Sequence, residues 1–446
     1  MLAVLRDRTY RRLFTAQVIA LVGTGLATVA LGLLAYDLAG ADAGSVLGTA
    51  LAIKMVAYVG IAPLVGAVAD RLPRRALLVG ADLTRAGVAC ALPFVDQVWQ
   101  VYALVFLLQS ASAAFTPTFQ SVIPDVLPEE RAYTRALSMS RLAYDLESLL
   151  SPALAAALLT VISSNWLFAG TVSGFLGSAA LVVSTALPKA TAALPRSGRR
   201  VRSTAGMGLF LRLPPLRALL ALNLAVAAAS AMVTVNSVLY VREMLGLSAG
   251  VVPLALGAYG AGSMAVALAL PRLLDRVADR AVMLRGALLM TLVFGGLGVI
   301  TASGGGSWRL PGLLVLWAAF GAACSAVLTP AGRLVRRSAP ADQRTAAFAA
   351  QFSLSHGCWL LTYPLAGWLG ATAGLLTAAV ALGAVTLAAS LLALRLWRVP
   401  SAVVEHEHTD LRAGHPHLAD ATRVAAGWRH RHGYEVDGLH PLAVDR

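Results

Sequence analysis

The chain has 446 residues, 58% of them hydrophobic and only 13% charged, against roughly 25% charged for an average soluble domain. That balance excludes an ordinary soluble globular protein. The 36 Lys and Arg against 22 Asp and Glu leave a net charge of +14, yet the basic residues fall in short clusters between apolar runs. They form no single patch or tail of the kind that binds nucleic acid, so no nucleic-acid partner is expected. Cys90, Cys324 and Cys358 all lie inside apolar runs, with neither a disulfide framework nor Cys-x-x-Cys spacing.

Runs long enough to cross a bilayer as helices lie at 13–38, 45–69, 76–95, 99–123, 134–161, 165–187, 217–240, 250–273, 281–302, 311–335, 344–369 and 373–396, by the criterion of about 20 apolar residues. The first follows Arg6, Arg8, Arg11 and Arg12. It is too long for a signal-peptide core and has no A-x-A cleavage site, so it reads as a retained span. Only Lys54, Arg85, Arg141, Arg242 and Arg309 of the basic residues fall outside one set of loops and ends. Short cytoplasmic loops keep Lys and Arg, so both termini are expected in the cytoplasm of a bacterial inner-membrane protein.

The expected fold is an all-α membrane protein of twelve transmembrane helices in two six-helix pseudo-repeats. Residues 1–187 and 217–398 form the halves, 188–216 a mobile cytoplasmic linker and 399–446 a cytoplasmic tail. The halves echo one another: Asp70-Arg71-Leu72-Pro73-Arg74-Arg75 recurs as Asp275-Arg276-Val277-Ala278-Asp279-Arg280, Thr116-Pro117 as Thr329-Pro330, and Pro152 as Pro364, at nearly constant offset. Recurrence at equivalent topological positions indicates tandem repeats of parallel topology.

The segment Gly66-x-x-x-Asp70-Arg71-x-x-Arg74-Arg75 places an acid and spaced bases at a helix–helix turn. With Asp275, Arg276 and Arg280 of the echo, these residues can pin neighbouring helix ends and release them when that rim opens. The pattern resembles the 2–3 loop motif of the major facilitator superfamily, with Pro73 where that motif usually has Gly. The resemblance implies a rocker-type secondary transporter with a central cavity.

Intramembrane ionisable groups are costly unless paired or facing water, and therefore mark function by default. Arg141 and Asp145 are four apart and share a helix face, about 18 Å into span 5. Glu147 lies on nearly the opposite face. Asp145 or Glu147 could carry a proton or cation, with Arg141 modulating its charge, or could form an internal ion pair. Asp82 and Arg85 read as a structural pair. His356, with Cys358 nearby, is either a metal ligand or a hydrogen-bonded core residue. Lys54 is a further transport candidate, with snorkelling toward the outer face as its alternative. Gly170-x-x-x-Gly174 and Gly370-x-x-x-Gly374 suit close helix packing. Gly257-x-x-Gly260-x-Gly262 follows no strand and is no nucleotide loop. No catalytic motif points to an enzyme, and no resident cofactor is expected.

Seven of the eight histidines lie in the tail: His406, His408, His415, His417, His430, His432 and His440. Six form H-x-H pairs, which in an extended chain aim two imidazoles the same way. With Glu405, Glu407 and Asp410 they form a donor set suited to nickel, copper or zinc. Asp437-Gly438 offers a hairpin turn between Glu435 and His440. Together with the runs Gly23–Leu31, Phe115–Gln120 and Arg141–Ser148, this Glu405-His406-Glu407-His408 tail resembles the nickel-resistance (Nre) branch of major facilitator exporters. Ser151-Pro152 followed by Ala155-Ala156 departs from the Gly-Pro antiporter motif. The resemblance implies proton-linked export of nickel by a monomer in the lipid bilayer, with the ion as substrate. The alternatives are a proton-linked exporter of drugs or siderophore-like molecules, and a membrane metal sensor built on the tail.

Overall fold

The computed structural model describes residues 2–39, 43–68, 72–161, 164–187, 205–340, 343–397, 404–408, 421–424 and 427–432. Each predicted run forms one long helix, to within a few residues at the ends. In chain order these and one short helix are α1 (Arg8–Ala39), α2 (Ala43–Val68), α3 (Arg74–Ala91), α4 (Val98–Val126), α5 (Glu130–Leu159), α6 (Ser164–Val183), α7 (Ala205–Arg212), α8 (Pro214–Leu239), α9 (Val252–Leu274), α10 (Asp279–Ala302), α11 (Arg309–Ser338), α12 (Arg344–Thr372) and α13 (Leu375–Leu396). Ten of them are long and apolar enough to cross a membrane. The long helices outside that set are α5 and α12, which carry the intramembrane candidates Arg141, Asp145, Glu147 and His356.

The expected linker 188–216 is helical in its last part. Residues 205–212 form α7, which packs on α8 and α12. Phe210 is fully buried there, and Gly206 rests against the Ala346 carbonyl where a Cβ would overlap it. Eight residues are too few for a spanning pattern, but one apolar ring and one small residue suffice to dock them. Residues 188–204 lie outside the described residues.

Small residues set how closely the helices approach. α8 is rich in alanine, with Ala225, Ala227, Ala228, Ala229 and Ala231 fully buried, so α10, α11, α12 and α13 can all reach it. In the α9–α11 contact a Cβ on Gly262 would overlap the Ala318 carbonyl, and one on Gly321 the Tyr259 carbonyl. Gly262 is thus a packing residue, as is Gly174, whose α-carbon faces Ile19 and Gly23 of α1. Gly374, at φ +85°, makes the tight turn from α12 into α13.

The first six helices meet the last six mainly through α2 against α12 and α5 against α9. Under the repeat alignment α2 corresponds to α9 and α5 to α12, so the two contacts exchange with each other. One end of the bundle, the basic end, gathers the starts of α1, α3, α5, α8, α10 and α12. The tail adds to the all-α body a small antiparallel sheet of order β1-β3-β2, from Val404–His408, Thr422–Val424 and Gly427–His432. Alternation over Val-Glu-His-Glu-His suits a strand with two different faces.

Candidate functional site

At the basic end a charge network ties the halves together. Asp125, near the end of α4, accepts from Arg74 of α3 and, at 2.9 Å, from Arg344 of α12. Arg333 of α11 pairs with Glu130 of α5 at 2.7 Å and with Asp279 of α10 at 3.2 Å. Arg337, one turn on, bridges the same two acids. Arg131 meets Asp275 at 3.3 Å. Tyr133 and Arg336 donate across the interface to the carbonyls of Gly332 and Pro128, at 3.2 and 2.6 Å. Bidentate arginines shared between carboxylates make strong, directional contacts.

Of the motif residues expected here, Gly66 is buried against Ala346 and Ala349 of α12, where a Cβ would be 2.8 Å from the Ala349 methyl. Arg74 joins the network. Arg75 caps the Thr185 carbonyl, and Arg280 the Trp397 carbonyl at 3.0 Å. Arg276 donates its backbone N–H to the Leu273 carbonyl at 3.1 Å. Asp70 and Arg71 lie outside the described residues. Asp125 and Glu130, which carry much of the network, were missed; their signal was the scarcity of acids at an end crowded with arginine.

About 22 Å further along α5, on the helical rise, a second cross-half contact lies near the middle of the bundle. Arg141 pairs with Asp145 at 2.9 Å. Ser263 of α9 donates to Asp145 at 2.6 Å and accepts from the Arg141 guanidinium at 3.0 and 3.1 Å. Asp145 is buried and Arg141 nearly so. A single serine therefore closes a three-membered polar ring across the interface. Nothing in its surrounding apolar run marks Ser263 in the sequence.

Glu147 faces elsewhere. Its carboxylate lies near Gly25 of α1, as does Ser151, with Lys54 of α2 in electrostatic range. Lys54 turns inward over the Tyr58 ring, 5.6 Å from its centroid, rather than toward the outer surface. The Tyr58 hydroxyl donates to Gln109 of α4 at 2.9 Å. His356 stands edge-on to Tyr58 at 4.7 Å, is tilted against Phe352 at 4.2 Å and Trp359 at 5.1 Å, and engages the Phe352 carbonyl through Nδ1 at 2.7 Å. That hydrogen bond, with its packing among aromatic rings, is the core-histidine arrangement; Cys358 is buried beside it. Among the described residues no group of three or more His, Cys, Asp or Glu could hold a metal ion.

Asp82 and Arg85 pair inside the first six helices. Ser178 donates to Asp82 at 2.7 Å, and the Arg85 guanidinium is sandwiched between Phe115 and Phe175, at 4.3 and 4.5 Å from the centroids.

In the tail, strand register sets His406 opposite His430, His408 opposite Trp428, and His432 opposite Val404. His415, His417, His440 and the Asp437-Gly438 turn lie outside the described residues.

Twelve long helices in two groups, joined at one end by arginine–carboxylate pairs and near the middle by the Arg141–Asp145–Ser263 ring, are the architecture of a multi-pass membrane protein. The chain belongs to the Major Facilitator Superfamily, whose family pattern matches residues 13–311 and 219–431. Macrolide efflux protein A of Streptococcus pyogenes is 29% identical over 163 residues, covering 35% of this chain and 38% of that protein. The Enterococcus faecalis protein of that name is 29% identical over 153 residues, 32% of this chain and 47% of its own length. The chain thus aligns with less than half the length of these relatives. In fold it is similar to a bacterial homologue of the iron transporter ferroportin in an outward-facing state, with TM-score 0.74 and 13% identity over 87% of this chain and 99% of that one. It is also similar to the human organic anion transporter TETRAN, with TM-score 0.71 and 16% identity over 86% and 99%.

Proposed function

We propose that this transporter exports amphipathic organic molecules from the bacterial cytoplasm across the inner membrane in exchange for protons. Aromatic rings at mid-height, with the Lys54 ammonium over one of them, suit an apolar substrate with a few polar groups. Those rings, where α2 meets α12, are the observation that carries the reading. The partial likeness to macrolide efflux proteins supports it. The transporter works as a monomer, with residues 1–187 and 217–398 rocking against each other. Its basic end faces the cytoplasm, by the bias of Lys and Arg, and the charge network there closes that side.

In this reading Asp145 is the coupling acid. Protonation cancels its charge and changes its hydrogen-bonding from acceptor to donor, which weakens both the Arg141 pair and the bond from Ser263. The halves can then separate at mid-height, and deprotonation on the other side re-forms the ring. Arg141 holds the ionised form until a proton arrives. His356 contributes ring surface.

Inside-out membrane vesicles test the reading directly. Erythromycin should accumulate in vesicles containing the protein only while a proton gradient is imposed. Uptake equal to that of empty membranes would refute organic export.

A second reading, export or sensing of nickel or a related divalent ion, is supported by the tail register. His406 and His430 are direct cross-strand partners, with His408 and His432 on the same sheet face by alternation. Removing residues 399–446 should lower nickel tolerance of cells if the tail captures the ion, and should leave erythromycin export unchanged.

A further inference from the structure

We propose that Asp37 of α1 and Arg242, in the turn that ends α8, form a latch that pairs when the far end of the bundle, opposite the basic end, closes. This inference rests on the rocking of the halves proposed above, whatever the cargo, and adds a contact that the present state does not make.

The hydrogen bonds, ion pairs and ring contacts described between the halves run from the basic end to the middle, as far as Asp145–Ser263 and Tyr58–His356. None is described beyond them on α5 or α12. α8 shows what lies open there. It is ringed by α9, α10, α11, α12 and α13 of its own half, and every residue from Ala225 to Val233 is buried. Beyond the middle Thr234, Val238 and Arg242 are exposed, at intervals of about one turn. With five helices around it, the face left open on α8 is the one toward the other half. That face borders a cavity of about 600 Å³ lined by Val238, Arg242, Glu243, Val252 and Pro253.

The repeat supplies the counterpart. The spacing that relates Asp70 to Asp275 and Arg75 to Arg280 also relates Val29, Leu33 and Asp37 of α1 to Thr234, Val238 and Arg242. Arg75 and Arg280 give that spacing a structural meaning, since each binds a carbonyl at the end of its own half, Thr185 and Trp397. Val29 and Leu33 are half-buried and Asp37 is exposed. Two stripes of uncharged side chains thus end in charges of opposite sign, at positions that an axis between the halves brings face to face. Neither Asp37 nor Arg242 has an ion-pair partner among the described residues. Arg309, also at the far end, is engaged with the Met244 carbonyl at 3.5 Å.

The end of α8 is built to aim Arg242. Tyr240–Met244 form one π-turn, with the Leu245 N–H on the Tyr240 carbonyl at 3.0 Å. An α-turn would carry Arg242 about 40° round from Val238. The wider π-turn advances each residue by a smaller angle and keeps Arg242 in line with the stripe. The Tyr240 hydroxyl fixes the turn against Thr301 at 2.9 Å. One such pair is worth little beside the network at the basic end, so the latch closes when that network is released.

The test joins the stripes one turn below the latch, which leaves Asp37 and Arg242 native. Full-length protein in membranes, carrying Leu33→Cys and Val238→Cys, is oxidised with copper phenanthroline, and the joined peptide is followed by mass spectrometry. Each single-cysteine variant controls for the native thiols. Glu130→Gln with Arg344→Gln removes arms that cross between the halves at the basic end and should speed joining several-fold. In that background Asp37→Arg should slow joining several-fold, and Asp37→Arg with Arg242→Asp should restore it. Elution as a single species checks folding, and Glu130→Gln alone serves if the double variant fails. Spin labels on Trp99→Cys and Trp308→Cys, exposed beside the starts of α4 and α11, report rocking independently, and their distance should shorten in the same background. Shortening without joining overturns the latch and leaves rocking standing, as does joining that is indifferent to Asp37→Arg. No shortening removes the rocking and the latch with it.

Discussion

Asp82–Arg85 and Arg141–Asp145 are pairs of the same chemistry in two settings. Both lie within long helices; Asp82, Arg85 and Asp145 are buried and Arg141 is half-buried. The first is enclosed by its own half: Phe115 and Phe175 cover the guanidinium, and Ser178 completes the carboxylate. The second is completed by Ser263, from the other half. An ion pair satisfied within one rigid group can only hold that group together. One completed across the interface between the halves would have to change partners if, as proposed, that interface opens. What separates the two pairs is the origin of the third polar group.

Breaking each pair should show the contrast. The largest loss of stability is expected for Arg85→Leu, which leaves Asp82 charged and unpaired between helices. Removal of one partner from a buried pair costs about 3–5 kcal/mol, and the variant should show a strongly lowered melting temperature or fail to accumulate in membranes. Asp145→Asn should fold to normal yield, because Ser263 and Arg141 can still bond the amide oxygen, and should lose gradient-driven transport almost entirely. Near-normal accumulation by this variant would place Asp145 with the structural pair. Ser263→Ala should be milder. Loss of one hydrogen-bonded linkage of about 1 kcal/mol shifts the balance of open and closed states about fivefold. Spin-label distances between the far ends of α5 and α9 would report that shift. Arg337→Ala should have the smallest effect, since its side chain is half-exposed and an exposed pair contributes about 0–1 kcal/mol. A transport change of more than a few-fold would mean that the charge network at the basic end is held by Arg337 rather than by Arg333.

The sequence made the helices legible because bilayer-length apolar runs are a local property. It also marked α5 and α12, since ionisable residues in apolar runs stand out one by one. Arg141 with Asp145, and Asp82 with Arg85, were visible as pairs because their partners lie within one turn. Ser263 was invisible: it is 118 residues from Asp145, and a lone serine in a packed helix has no signature. Asp125 and Glu130 were readable in principle, as rare acids at a basic end, but their partners come from α11 and α12. α7 was missed because docking of a single helical turn or two depends on the surface that receives it. The H-x-H alternation was plain, whereas the pairing of β1 with β3 depends on register between segments about 20 residues apart, which no local pattern specifies.

The most direct test of the account compares two modes of transport in Asp145→Asn vesicles: uptake of erythromycin driven by a proton gradient, and exchange of labelled for unlabelled erythromycin with no gradient. An exporter coupled through Asp145 should lose the first and retain the second, because the cavity and its alternation survive without the proton. Retention of gradient-driven uptake at the wild-type rate would contradict the assignment and would make Asp145 a structural partner of Arg141.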